Sequence, residues 1–300
     1  MTRVTLVKTQ DRVTGIPRAL DLLASGPLPG KHLFLKPNLN SADSSPGSTH
    51  NDTLTAMVRW LKGQGTERIT VGDRSGMGHT RAVMDAKGVF RLGEELGFDT
   101  VVLDELDAAG WQKVKAPGSH WRRGFALARP ALEADGIVQA CCLKTHRFGG
   151  HFSLSLKNSV GLIASRIPGE PYNYMLELHL SWHQRRMIAE INAACRCDLV
   201  VVDGVEAFVK GGPNRGKLVA AQVILAGTDR IAVDAVGVAV LRHLGTTRRV
   251  STGPIFKLAQ IARAVELDLG VHGPDEIELV SDDAVSEKYA AQIRQVLAQG

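Results

Sequence analysis

Short runs of Val, Ile and Leu alternate along the whole chain with segments whose apolar residues recur at helical spacing. The runs at residues 4–7, 31–38, 68–73, 99–104, 136–143, 198–203, 219–226 and 277–280 predict strands. Between them, residues 15–23, 53–62, 81–96, 131–135, 175–195, 229–241, 254–265 and 285–297 predict helices, the first with Pro17 in its opening turn. Buried strands that alternate with helices specify an α/β fold, a mainly parallel doubly wound sheet with helices on both faces. Residues 105–130, with Trp111, Trp121 and short alternating segments, predict a small hairpin inserted at a sheet edge. Residues 204–216, rich in glycine, read as a loop. No repeat or linker divides the chain, so one α/β domain over 1–300 is expected, with lobe boundaries to be sought near 105 and 165.

Four of these strands end in polar groups: Lys36 with Asn38, Asp73, Lys144 with His146, and Asp203 with Glu206. Open α/β sheets bind ligands at the carboxyl ends of their strands, so the coincidence predicts one cleft. Its richest stretch is 143–162. Lys144 and Lys157 follow apolar or small residues, and burial of a lysine lowers its pKa towards a usable base unless a nearby anion keeps it charged. His146 and His151 bracket Gly149 and Gly150, a pair that lets the backbone approach a ligand closely. His179 and His183 stand four apart on a predicted helix, the spacing of helical metal sites, but Leu180 and Ser181 between them exclude the zinc-protease motif. The turn at 72–79 has neither P-loop nor dinucleotide-fingerprint spacing, and no nucleophile elbow occurs.

Composition narrows the partners. With 44% apolar and 22% charged residues the chain is ordinary for a globular protein. No apolar window reaches membrane-span length and the first residues lack a secretion signal's apolar core, so a cytoplasmic protein without a membrane partner is expected. The formal charge of +5 is interspersed with acids, and only 5% of residues are aromatic, which favours an anionic small-molecule ligand over nucleic acid. The cysteines, Cys141, Cys142, Cys195 and Cys197, lack iron–sulfur or zinc-ribbon spacing and read as reduced core thiols, with a metal or redox role left open for Cys142.

The ordered set Leu35-Lys-Pro-Asn38, Thr49-His50, Val71-Gly-Asp73, Leu143-Lys-Thr-His146, Leu156-Lys-Asn158 with Gly161, Val202-Asp-Gly204, Ala226-Gly-Thr-Asp229 and Val233-Asp234 resembles the prokaryotic family called domain of unknown function 362. The resemblance implies iron–sulfur association in many relatives, through an added cysteine module that this chain lacks. The residues together suggest an enzyme acting on a carboxylate or phosphate compound by metal-assisted proton transfer, as an isomerase or lyase does. Lys36, Asn38 and Lys144 are expected to hold the anion, with Asn40, His50, Gly149, Gly150 and Asn158 beside it. His146 or Lys157 would move the proton, Asp73, Asp203 and Glu206 would bind a divalent metal or orient these bases, and His179 and His183 are further candidate metal ligands. The alternatives are an oxidoreductase or electron-transfer component served by a separate iron–sulfur partner, and a non-catalytic protein that binds a metabolite or metal.

Overall fold

A computed structural model describes residues 1–23, 28, 30–115, 117–148 and 151–299. The strands are β1 (Thr2–Lys8), β2 (His32–Pro37), β3 (Arg68–Asp73), β4 (Asp99–Val102), β5 (Trp111–Val114), β6 (Phe125–Ala128), β7 (Gly136–His146), β8 (His151–Ser153), β9 (Leu199–Gly211), β10 (Gly216–Val219), β11 (Val223–Gly227) and β12 (Ile277–Val280). The main sheet has the order β12-β1-β11-β9-β7-β2-β3-β4, with β8 and β10 attached to β7 and β9. Along this path only β11 runs against its neighbours, so the sheet is mostly parallel.

Period-two alternation divides the apolar residues between two faces. On β9, Leu199 and Val201 pack with Ile16 and Leu20 of helix Arg12–Leu23 and Met57 of helix Asn51–Gly63. Val200 and Val202 face the other way, onto Val236 and Val240 of helix Arg230–His243. Both faces are therefore covered, as parallel sheets require. The segment expected as an edge hairpin does form one, β5 against β6, but as a separate two-stranded sheet. Its Phe125 and Leu127 share a third apolar cluster with Trp111, Trp121, Met175 and Ile188.

Several boundaries differ from those expected, each for a local reason. Asp11 accepts from the Val13 N–H at 2.9 Å, which starts the first helix at Arg12 and leaves Pro17 beyond its opening turn. Gly88, at φ +66°, divides the predicted helix 81–96 into Thr80–Ala86 and Val89–Leu96. The predicted helix 175–195 breaks at Ser181, whose backbone is extended and whose hydroxyl accepts from the His183 N–H at 3.0 Å, giving Tyr174–Leu180 and Gln184–Ile191. The predicted loop 204–216 is mostly strand, because β9 runs on to Gly211 and pairs antiparallel with β10.

Candidate functional site

The carboxyl ends of β2, β3 and β7 open into a cavity of about 560 Å³. Every residue of β7 is buried, so the strand carries Lys144 and His146 to the cavity wall with no freedom to swing into solvent. Chain continuing through β8 reaches the one-turn helix Ser155–Asn158, which supplies Lys157 and Asn158. The Asp234 carboxylate, within helix Arg230–His243, fixes this turn by accepting from the N–H groups of Ser155 at 2.7 Å and Leu156 at 3.2 Å. Burial pushes the Asp234 carboxyl up to about 7 despite those two donors.

At the cavity floor Lys36 and Asp73 form a buried pair, Nζ to Oδ1 at 2.8 Å. Lys36 also donates to the Pro37 carbonyl at 2.6 Å and to Asn158 Oδ1 at 3.2 Å. Asp73 in turn accepts from the N–H groups of Leu39 at 2.7 Å and Arg74 at 2.6 Å. Gly161 passes directly over the pair, and a Cβ there would lie 2.7 Å from Lys36 Nζ. Gly161→Ala is therefore expected to lower the unfolding free energy by about 1–3 kcal/mol, the usual cost of overpacking. Urea denaturation checks this, and a change below about 0.5 kcal/mol would show that the floor yields instead of resisting.

Three further cations differ in how they are held. Arg74 donates only to the carbonyls of Ile163, Ser75 and Val160, at 2.6, 3.0 and 3.2 Å, and to the Met175 sulfur at 3.0 Å. Lys144 donates to the Gly47 carbonyl at 2.6 Å and Asn38 Oδ1 at 3.2 Å, and burial lowers its pKa. Lys157 has no hydrogen-bond acceptor among the described residues. Desolvation, reinforced by Arg185, Lys144, Arg74 and Lys36, lowers its pKa to about 7, which leaves about half of the amine neutral at that pH.

His146 donates from Nδ1 to the Phe148 carbonyl at 2.8 Å, which directs the lone pair to Nε2. Burial and the neighbouring Lys157 and Arg185 drive its pKa far below the ordinary value, so the ring is neutral and Nε2 can only accept. The carboxylates of the cavity are Asp73 and Asp104, against Lys36, Arg74, Lys144 and the partly charged Lys157. This excess of positive charge is what an anionic ligand would neutralise.

The cavity thus gathers Lys36, Asn38, Asn40, Asp73, Lys144, His146, Lys157, Asn158 and His179. Gly149 and Gly150 lie outside the described residues. His50 is instead the N-cap of helix Asn51–Gly63, its Nδ1 accepting from the Asp52 N–H at 3.1 Å, and it does not line the cavity.

The expected metal ligands do not converge, and the donor set does not fit a divalent ion. Asp203 continues the Leu199 and Val201 face of β9 and meets Arg12 at 2.7 Å and Thr53 at 2.7 Å, while Glu206 pairs with the same Arg12 at 3.4 Å, and neither carboxylate lines the cavity. The break at Ser181 takes the two histidines off one continuous helix face. His179 lines this cavity, whereas His183 stacks on His120 with ring centroids 4.4 Å apart, and both border a second, adjoining cavity. Among the described residues no three His, Cys, Asp or Glu side chains are placed to hold a metal. Burial raises the pKa of the Cys141 and Cys142 thiols, which disfavours the thiolate at neutral pH.

Arg74, Asp104 and Arg185 were not singled out in the sequence. Arg74 follows Asp73 in the glycine-rich turn, so a basic residue beside a strand-end carboxylate was the available signal. Arg185 had none, because its acceptors, the main-chain carbonyls of Phe148 and Phe152 at 2.6 and 3.4 Å and Gln260 Oε1 at 3.5 Å, are brought to it by the tertiary fold.

The model of the family described as domain of unknown function 362 matches residues 33–239. The thylakoid-associated protein sll1697 of Synechocystis sp. is 24% identical over 218 residues, 69% of this chain, which spans 61% of that protein's length. The lactate racemase apoprotein from Thermoanaerobacterium thermosaccharolyticum aligns over 96% of this chain and 85% of its own at 14% identity, with a TM-score of 0.46. No helix among the described residues is long and apolar enough to cross a membrane.

Proposed function

The chain belongs to the domain of unknown function 362 family, whose name carries no reaction, and from the contents of the cavity we propose an enzyme that transfers a proton on a small carboxylate or phosphate compound. The observation that carries this reading is the position of Lys157, which lines a cavity of about 560 Å³ beside Lys36, Arg74 and Lys144 with no acceptor among the described residues, surroundings that lower its pKa to about 7. A base is most effective when its pKa lies near the working pH, because it is then both available and strong enough.

Each group has a distinct part. Lys36, Lys144 and Arg74 draw the substrate's anionic group and oppose the negative charge that builds up as a neighbouring C–H bond breaks. Lys157 takes that proton as a neutral amine and returns it as an ammonium, which yields isomerisation, or elimination where a leaving group stands on the next carbon. His146 stays neutral, so its Nε2 accepts a substrate O–H and orients it. No step runs through a metal, because Asp203, Glu206 and His183 lie away from these groups.

Deuterium exchange tests the reading without knowledge of the product. Small hydroxycarboxylates and phosphorylated carboxylates, incubated with the protein in heavy water, are expected to gain deuterium next to the carboxylate, as read by mass spectrometry. The rate should rise with pH and level off above about 7, because only the neutral form of Lys157 abstracts a proton. Absence of exchange in every compound, or a rate that falls as pH rises through 7, would remove Lys157 from the role of base.

A further inference from the structure

A second cavity, about 780 Å³ in volume, adjoins the first and shares Phe148 and His179 with it. Arg185, Arg186 and Arg249 line it together with His151 and Trp182, and among the described residues no Asp or Glu lines it. Arg186 reaches Glu266 at 3.3 Å outside the cavity, so its charge is partly answered there. Arg185 is not answered by any carboxylate among the described residues. It is buried to 6% exposure, donates to the Phe148 carbonyl at 2.6 Å and more weakly to Phe152 O and Gln260 Oε1 at 3.4 and 3.5 Å, and leaves Nε without a partner.

A buried guanidinium with an unused N–H is costly unless something supplies the missing oxygens. The other surroundings point to the same kind of occupant. The first residues of helix Gln184–Ile191 line this cavity, and its N-cap residue His183 makes no side-chain capping bond. His151 Nδ1 is a second buried nitrogen without a partner, and desolvation together with Arg185 and Arg249 lowers its pKa to about 4. Trp182 is fully exposed and Phe148 half exposed beside these donors.

We infer that the second cavity is a phosphoryl-binding site, with Arg185 and Arg249 as its principal donors. Guanidinium groups offer paired N–H donors that match phosphate oxygens, and several such donors around one cavity suit a tetrahedral dianion better than a single carboxylate. The Phe148 carbonyl accepts from both Arg185 and His146, so the loop that orients His146 in the first cavity also touches the guanidinium of the second. The phosphoryl group can belong to a soluble molecule or to a lipid headgroup, which the two arms of the test separate.

Titration with inorganic phosphate is expected to change the fluorescence of Trp182, and the change should vanish in Trp182→Phe. Arg249→Glu alters an exposed residue and should keep the fold while weakening phosphate binding about tenfold or more, the effect of losing a charge-assisted bond. Arg185→Met should weaken it at least as much, and Lys157→Met in the first cavity should leave it within about twofold. In the second arm, vesicles of phosphatidylcholine containing phosphatidic acid are sedimented with the protein. Binding to vesicles that depends on Arg249, without binding of free phosphate, assigns the site to a headgroup. Phosphate binding that Arg249→Glu leaves unchanged, binding abolished by Lys157→Met, or no binding in either arm would overturn the inference.

Discussion

Lys157→Met is expected to lower the deuterium-exchange rate by about 10²–10⁴-fold, the usual contribution of a general base. The same replacement should make the protein more stable, which separates loss of chemistry from loss of fold. In the native state the Lys157 pKa is about 7, whereas an unfolded lysine titrates near its ordinary value of roughly 10.4. Between those values the unfolded chain binds the extra proton, so the destabilisation caused by Lys157 is full below about pH 7 and fades as pH rises towards roughly 10. The gain from Lys157→Met should accordingly be larger at pH 6 than at pH 9, as read by urea denaturation at both. Amine labelling offers a third readout. At pH 7 about half of the Lys157 amines are neutral, against well under about 0.1% for an ordinary lysine. A reagent small enough to enter the cavity should modify Lys157 first, with a rate that follows a single titration near 7. Labelling no faster than that of surface lysines, together with unchanged stability, would sink the assignment.

The surroundings of Lys157 are among the features legible in the sequence. Lys144 and Lys157 stand out because charged residues are rare in runs such as Cys141-Cys142-Leu143 and Leu154-Ser155-Leu156. Local pattern likewise places β3 and β12 at the residues expected, since each is bounded by turn-forming or charged positions. Asp203 is the exception: it stands at a strand end like the cleft residues, but it meets Arg12 and Thr53 of the helices that cover the Leu199 and Val201 face. Alternation along the strand does not distinguish it from Asp73, which follows Ile69 and Val71 in the same way and lines the cavity, so the difference lies in Arg12, whose position depends on tertiary packing. The split of the helix through Trp182 was not legible either. Leu176, Leu180 and Trp182 look like part of an apolar stripe, yet all three are exposed, and the hydroxyl of Ser181 restarts the chain at His183. The four-residue spacing of His179 and His183 places them on one helix face only where the helix is continuous, although both side chains border the second cavity.

Removing either member of the Lys36–Asp73 pair is expected to lower the unfolding free energy by about 3–5 kcal/mol, as for other buried ion pairs broken on one side. Both side chains are almost fully buried, at 2% and 3% exposure, so water does little to replace the lost partner. Asp73→Asn removes one of the acceptors that hold the Leu39 and Arg74 N–H groups and leaves the Lys36 ammonium with only the Pro37 carbonyl and Asn158. Lys36→Met leaves a carboxylate under Gly161 with backbone donors alone. The double variant Lys36→Met/Asp73→Asn should lose less than the sum of the two, by about 0.5–3 kcal/mol, because neither charge is then stranded. Additive losses would show that the two groups are held by their separate backbone contacts and not by each other. Single losses below about 1 kcal/mol would show that the cavity floor is wet enough to screen them. The expected result makes the pair the rigid base on which Asn158, and through it the short turn carrying Lys157, is set against β2.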